Sequence, residues 1–280
     1  MFCEYYNTSN IAPPTFTFGR FLKRKVGIVT GSTSGIGLGI ARALAKAGCN
    51  VVLNGFGDTA EIEATRKELA RKHRVRVLYH GADMTKPSEI ADLVESTVAK
   101  LGAVDILVNN AGIQFTAPIE SFPPEKWDAI IATNLSSAFH TTRKALPSMK
   151  ARNQGRIINI ASVHGLVGST EKIAYVAAKH GIVGATKVTA LELAETLVTC
   201  NSICPGWVLT PLVEKQIADM AAKDGLSIAD ATTKLLAEKE PSKRFTTVEQ
   251  VAGMVLFLVS DFASNLTGQS IAMDGAWTAH

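Results

Sequence analysis

From Lys25 onward, short runs of aliphatic and β-branched residues alternate with longer stretches in which apolar positions recur every three or four residues. The runs "KVGIVT" (25–30), "NVVLN" (50–54), "VRVLYH" (75–80), "VDILVNN" (104–110), "GRIINIAS" (155–162), "LVTCNSICP" (197–205) and "QSIAM" (269–273) read as strands. Most are apolar nearly throughout, as in strands covered on both faces. The amphipathic stretches between them read as helices, so the chain predicts βαβ units and a parallel sheet with helices on both sides. Residues 208–244 depart from the alternation. Rich in Ala, Lys, Glu, Asp and Leu at helical spacing, they precede a helix starting near Thr247 and are expected to form a lid or a peripheral helical hairpin. Residues 1–24, with a Pro-Pro pair and no continuous apolar segment, are expected to be a loosely ordered extension ahead of one domain spanning 25–280.

Composition narrows the partners. With 280 residues, 46% hydrophobic and 19% charged, the chain can bury a real core. A net charge of +4 without any block of like charges does not point to nucleic acid, and "VAGMVLFLV" (251–259) is far short of the ~20 residues of a membrane span. A small-molecule ligand is expected. Cys3, Cys49, Cys200 and Cys204 have neither metal-finger spacing nor the density of a disulfide scaffold, which suits reduced thiols in the cytoplasm, and no cluster of metal ligands is legible.

The strand "VGIVT" runs directly into "GSTSGIG" (31–37) and then into a helix with Ile40, Leu44 and Ala47 on one face. Gly31 permits a tight turn, Gly35 lets the backbone approach a pyrophosphate, and Gly37 is expected to allow close packing of helix on strand. An ordinary strand-to-helix turn is the alternative, made less attractive by the position at the front of an alternating chain.

A second constellation involves Tyr175 and Lys179. A free phenol with a pKa of ~10 is a poor base near neutrality. Residues four apart share a helix face, and a positive charge ~4 Å away at an effective dielectric of ~20 supplies ~4 kcal/mol, or roughly three pKa units. A lone YxxxK is common by chance, and the alternative is a solvated helix face. Ser162 at a strand end and Asn134 in "TNLSSAF", a polar residue expected to be buried, favour a site.

The TGxxxGIG spacing resembles the short-chain dehydrogenase/reductase superfamily. The motifs that follow match it in order: Asp83 in "ADMT", the "NNAG" turn (109–112), Tyr175 with Lys179, and "PGWVLTP" (205–211). The resemblance covers 25–280. It implies a single-domain α/β fold, Rossmann-like and doubly wound, with seven parallel strands and a helical substrate lid at 208–244. It also implies a nicotinamide dinucleotide held by Gly31, Thr33, Gly35, Ile36, Phe56, Asp83, Met84, Asn110, Gly112, Tyr175, Lys179, Pro205, Val208 and Thr210. The implied catalytic tetrad is Asn134 for a water relay, Ser162 to orient substrate, Tyr175 for proton transfer, and Lys179 to tune Tyr175 and grip the ribose. Family members of this size imply a homotetramer.

No arginine or lysine stands in the glycine loop or in "LNGFGD" (53–58) to meet a 2′-phosphate, which favours NAD, with Phe56 filling that space. The acid usual for the ribose hydroxyls is also missing unless Asp58 reaches back. Beside the tetrad, Gln114, His164 and Lys172 each have a plain reading as loop amide, core histidine or solvated charge. Together they suit a small carboxylate, whose charge is costly to bury unpaired. With Trp207, Gln216 and Trp277 the set resembles a branch of the family in which polar residues, Ser162 and Tyr175 included, surround a four-carbon hydroxy acid. Three alternatives stay open: an NADPH-dependent 3-oxoacyl thioester reductase, a sugar or polyol dehydrogenase, and a nucleotide-binding regulator without chemistry.

Overall fold

Seven aliphatic runs pair into one sheet in the computed structural model, which describes residues 19–279: β1 (Val26–Val29), β2 (Asn50–Asn54), β3 (Val77–His80), β4 (Ile106–Asn109), β5 (Gly155–Ile160), β6 (Val198–Pro205) and β7 (Ser270–Met273). Their order is β3-β2-β1-β4-β5-β6-β7, and every pairing is parallel. The direction of winding reverses between β1 and β4, and in such sheets ligands bind in the crevice beyond the strand C-termini at that point.

The nine helices among the described residues are α1 (Gly35–Lys46), α2 (Thr59–His73), α3 (Pro87–Leu101), α4 (Pro124–Ile131), α5 (Ser137–Ala151), α6 (Ile173–Glu192), α7 (Pro211–Asp224), α8 (Ile228–Lys239) and α9 (Val248–Leu258). Alternate strand residues enter opposite cores, as the two-residue period requires. Val29, Val51, Val108 and Ile158 meet Ile40 and Leu44 of α1 and Val251 and Val255 of α9. Their neighbours Ile28, Val52, Leu107 and Ile157 meet Ile90 and Leu93 of α3 and Met149 of α5. The sheet is thus covered on both faces, and the doubly wound α/β expectation holds.

Residues 208–244 become a hairpin of α7 and α8 with its own small core of Val213, Ile217, Ala221, Ala231 and Leu235, against which Trp207 and Phe245 pack. The next helix starts where the sequence places it, because Thr247 and Gln250 cap α9 reciprocally. Most of the expected extension lies outside the described residues. Its last part, 19–24, is not loose: Leu22 is buried and its N–H donates to the Ala47 carbonyl. Among the described residues no helix is long and apolar enough to cross a membrane.

Candidate active site

The glycine loop stands at the reversal point. Gly31 and Gly35 take φ of +60° and +53°, the left-handed region that favours glycine. A Cβ at Gly37 would collide with the Gly31 carbonyl and the Asn110 side-chain amide. Gly37 thus lets the start of α1 lie close against the ends of β1 and β4, while Gly39 lets α1 meet α9 at Val248. Ser34 precedes α1 without a side-chain capping bond, and no acid occupies the first turn, so the helix start keeps N–H donors for an anion. This cradle fits a dinucleotide pyrophosphate.

Neighbouring strand ends hold the loop. Asn54 accepts from the Gly31 N–H (3.2 Å) and donates to the His80 and Ala82 carbonyls (3.1 and 2.9 Å). Asn110 donates to the Thr30 and Gly31 carbonyls, both at 2.9 Å. Thr33 donates to the Phe56 carbonyl (2.8 Å), and the Phe56 ring stays 67% exposed at the outer edge. Asp58 does not reach back: it caps α2 by accepting from the Glu61 N–H (2.9 Å). Asp83 accepts from both the N–H and the hydroxyl of Thr85, bonds that hold its carboxyl below the usual range. The Met84 side chain is buried in the core with Ile90, Leu93 and Met149.

A cavity of about 320 Å³ continues from this cradle. It is lined by Gly31, Gly35, Ile36, Asn110, Gly112, Gln114, Ser162, His164, Lys172, Tyr175, Lys179, Pro205, Trp207, Val208, Thr210, Gln216 and Trp277. Chain positions scattered from 31 to 277 therefore meet in one space. Thr33, Phe56, Asp83, Met84 and Asn134 lie outside its lining.

The placement of Asn134 has a local cause. It sits in a wide π-type turn, Ala132–Ser136, joining α4 to α5, and such turns expose backbone where an ordinary helix would not. Its side chain accepts from the Ile113 N–H (2.8 Å) and donates to the Ile113 carbonyl (2.9 Å). Both ends of the amide are occupied, so the side chain fixes the segment after the NNAG turn.

Tyr175 and Lys179 share the cavity-facing side of α6, with the ammonium nitrogen 5.5 Å from the phenol ring centre. Lys179 is buried and donates to the Ile160 carbonyl at 2.7 Å. Burial pulls its pKa down to about 8. Burial also pushes the Tyr175 phenol above its ordinary value, partly offset by the Ser162 hydroxyl. This corrects the two-body argument: the ammonium faces the phenol as expected, but desolvation of both groups, invisible to spacing, opposes their ionisation.

At the far end, the His164 Nε2 lies 3.4 Å from the Lys172 ammonium, and its Nδ1 is buried without a partner. Burial, then Lys172, Lys239 and His180, push His164 down to about 3, so it is neutral. Its ring stands edge-on to Tyr175 and Trp277, with centres 6.1 and 5.4 Å apart. Lys172 lies 5.3 Å from the centre of Trp207, and burial and then Lys239 lower its pKa. Lys239 of α8, not anticipated from sequence, sits 5.7 Å from the centre of Trp277. Also unanticipated are Asn54, Thr30 and a buried chain beneath the site, in which Thr141 donates to Asn109, Asn109 to Asn159, and Asn159 to Thr186. Polar residues inside otherwise apolar strand runs were the available signal.

Comparison with known proteins places this geometry. Residues 25–221 match the short chain dehydrogenase family. The chain is 58% identical over 255 residues to the D-beta-hydroxybutyrate dehydrogenase of Rhizobium meliloti, covering 91% of this chain and 99% of that protein. It is 57% identical over 259 residues to the protein of the same name from Cupriavidus necator, covering 92% and 99%. Among solved structures it is similar to L-sorbose reductase from Gluconobacter frateurii complexed with NADPH and L-sorbose, with a TM-score of 0.88, 31% identity, and coverage of 94% and 99%.

Proposed function

From the premise that the chain belongs to the short chain dehydrogenase family, we propose that it oxidises D-3-hydroxybutyrate reversibly to acetoacetate with NAD. The observation that carries the substrate is the convergence of Lys172, His164, Trp207 and Trp277 around one end of the cavity that holds Tyr175. Two relatives at 57–58% identity are named for this hydroxy acid. A sugar or polyol would leave the Lys172 charge without an anion.

A bound oxidised nicotinamide supplies the acceptor for the hydride leaving the substrate carbon. The chain supplies the rest. Tyr175, as phenolate, takes the hydroxyl proton; Ser162 holds the same oxygen; Lys179 stabilises the phenolate. Lys172, with Gln114 and Gln216 at the rim and neutral His164 as hydrogen-bond partner, holds the carboxylate. Asn134 contributes by fixing residue 113. In the reverse direction Tyr175 returns the proton to the nascent alkoxide.

The NAD preference is supported by the absence of a cation at residues 33–37 and 54–58, with Phe56 where a 2′-phosphate would need charge. The α7–α8 hairpin, which carries Gln216, serves as the lid. Three buried free thiols, Cys49, Cys200 and Cys204, suit a cytoplasmic enzyme, and family size suits a homotetramer.

The test is direct: the protein is mixed with NAD and each enantiomer of 3-hydroxybutyrate, and near-ultraviolet absorbance is followed. Reduction with the D enantiomer is the expected result. No reduction, together with rapid NADPH oxidation on an acetoacetyl thioester, would instead establish the thioester reductase.

A further inference from the structure

We propose that Glu240 is a positioning residue: a buried carboxyl that clasps the end of the helical hairpin to the two segments carrying Trp207 and Trp277. The proposal rests on the reading of those tryptophans as walls of the substrate pocket.

Glu240 follows α8 directly and is 1% exposed. Its Oε1 accepts the Trp207 N–H at 3.0 Å, while its Oε2 is buried with no partner. It fits only because residue 206 is glycine; a Cβ there would collide with Oε1 and crowd the Asp274 backbone. The surrounding bonds join the same segments. The Ser242 N–H donates to the Gly275 carbonyl (3.0 Å), the Thr246 N–H to the Trp207 carbonyl (2.9 Å), and the Thr246 hydroxyl to the Met273 carbonyl (2.8 Å). Glu240 thus stands where the hairpin, the end of β6 and the turn after β7 meet.

The neighbouring buried acid, Asp274, accepts from the Ala276 N–H and from the N–H and hydroxyl of Thr278, at 3.2, 2.9 and 2.6 Å. Glu240 has a single donor for two oxygens. Where two buried carboxyls adjoin, the one with fewer donors keeps its proton. Burial first and Asp274 second push Glu240 up to about 7, against the pull of the Trp207 N–H. Three nearby ionisable groups are engaged elsewhere. Lys239, next on the same element, lies over Trp277, Lys172 lies over Trp207, and His164 against Trp277 is neutral down to about 3.

The sign follows. Native Glu240 binds a proton that an unfolded glutamate, with a pKa of about 4.3, has released. Its contribution to stability therefore declines as pH rises through that window and is fully lost above about 7. Ionisation sets a carboxylate against Asp274 with no donor for Oε2, and the clasp on both tryptophan segments weakens.

The experiment is a tryptophan-fluorescence titration of the full chain without cofactor, from about pH 5.5 to about 8.5, on the native protein, Glu240→Gln and Glu240→Ala. A transition near 7 in the native protein that disappears in Glu240→Gln is expected, since glutamine keeps the acceptor for Trp207 and cannot ionise. Glu240→Ala should show altered fluorescence at every pH and a KM for 3-hydroxybutyrate raised about fivefold to tenfold, with the KM for NAD within about twofold. Glu240→Gln should recover most of that loss. A transition surviving in Glu240→Gln, or an alanine variant like the native protein in both readouts, overturns the proposal. Should the alanine variant fail to fold, the glutamine titration alone decides. The titration needs no substrate, so a native protein inactive on hydroxybutyrate would reject the assigned reaction while leaving this result readable.

Discussion

Replacing Lys179 with methionine isolates the charge beside Tyr175 at nearly constant volume. The ammonium lies 5.5 Å from the phenol ring centre. At an effective dielectric of ~20, one charge at that separation favours the phenolate by about 3 kcal/mol, or about two pKa units. In Lys179→Met the acid limb of kcat for hydroxybutyrate oxidation should therefore move about two units toward alkaline pH, with kcat near neutrality falling about 100-fold. Burial brings Lys179 down to about 8 beside a protonated Tyr175, but the phenolate raises it again by the same coupling, so the two profiles should converge only well above that pH. The assay is kcat at saturating NAD across the pH range, since a weaker grip on the ribose raises the KM for NAD without entering kcat. An acid limb that stays in place in Lys179→Met would refute the electrostatic account of Tyr175 and leave Lys179 with cofactor binding and the Ile160 contact.

Three further outcomes are expected. Lys172→Ala should raise the KM for 3-hydroxybutyrate about 10- to 100-fold, the range for a hydrogen bond to a charged partner, and the KM for NAD by less than about threefold; equal rises would remove Lys172 from the substrate pocket. His164 is held down to about 3 in the fold but titrates at about 6.5 when unfolded, so native stability should fall as pH drops below about 6.5. In His164→Gln that decline should be shallower in urea melts taken between about pH 4 and about pH 7. Phe56→Arg, at a site 67% exposed, should raise kcat/KM for NADP relative to NAD about tenfold by giving a 2′-phosphate a charged partner, measured with both cofactors under identical conditions.

The fold was legible because its strands are short aliphatic runs covered on both faces, and no tertiary contact is needed to recognise that pattern. Boundaries were less so: "VRVLYH" reads as a strand from 75, whereas pairing begins at Val77. Tyr175 and Lys179 were legible because four-residue spacing on a helix is a local property. Their ionisation was not, because desolvation depends on β5, β6 and α4 packing around α6. Asp58 shows the same limit. Its choice between capping α2 and reaching a ribose is decided by an N–H three residues away. In "AEKEP" (237–241), Lys239 and Glu240 read as solvated charges; only the return of the chain beside β6 and β7 brings one to Trp277 and the other to Trp207.

Burial and like charge act against the cationic groups at the far end of the cavity. An imidazole with an unpaired Nδ1, a lysine whose charge is disfavoured, and a second lysine that disfavours it further are gathered against two indoles. The lysines gain from the indole faces and Lys172 from His164 Nε2, but like charge and desolvation both oppose the two ammonium groups. A carboxylate entering beside them reverses both effects by supplying the missing opposite charge and an acceptor for the ammonium. The free energy recovered is then specific to an anion of the right reach. A neutral hydroxyl of equal size could not recover it, so on the proposed reading the clustered cations favour a hydroxy acid over an alcohol.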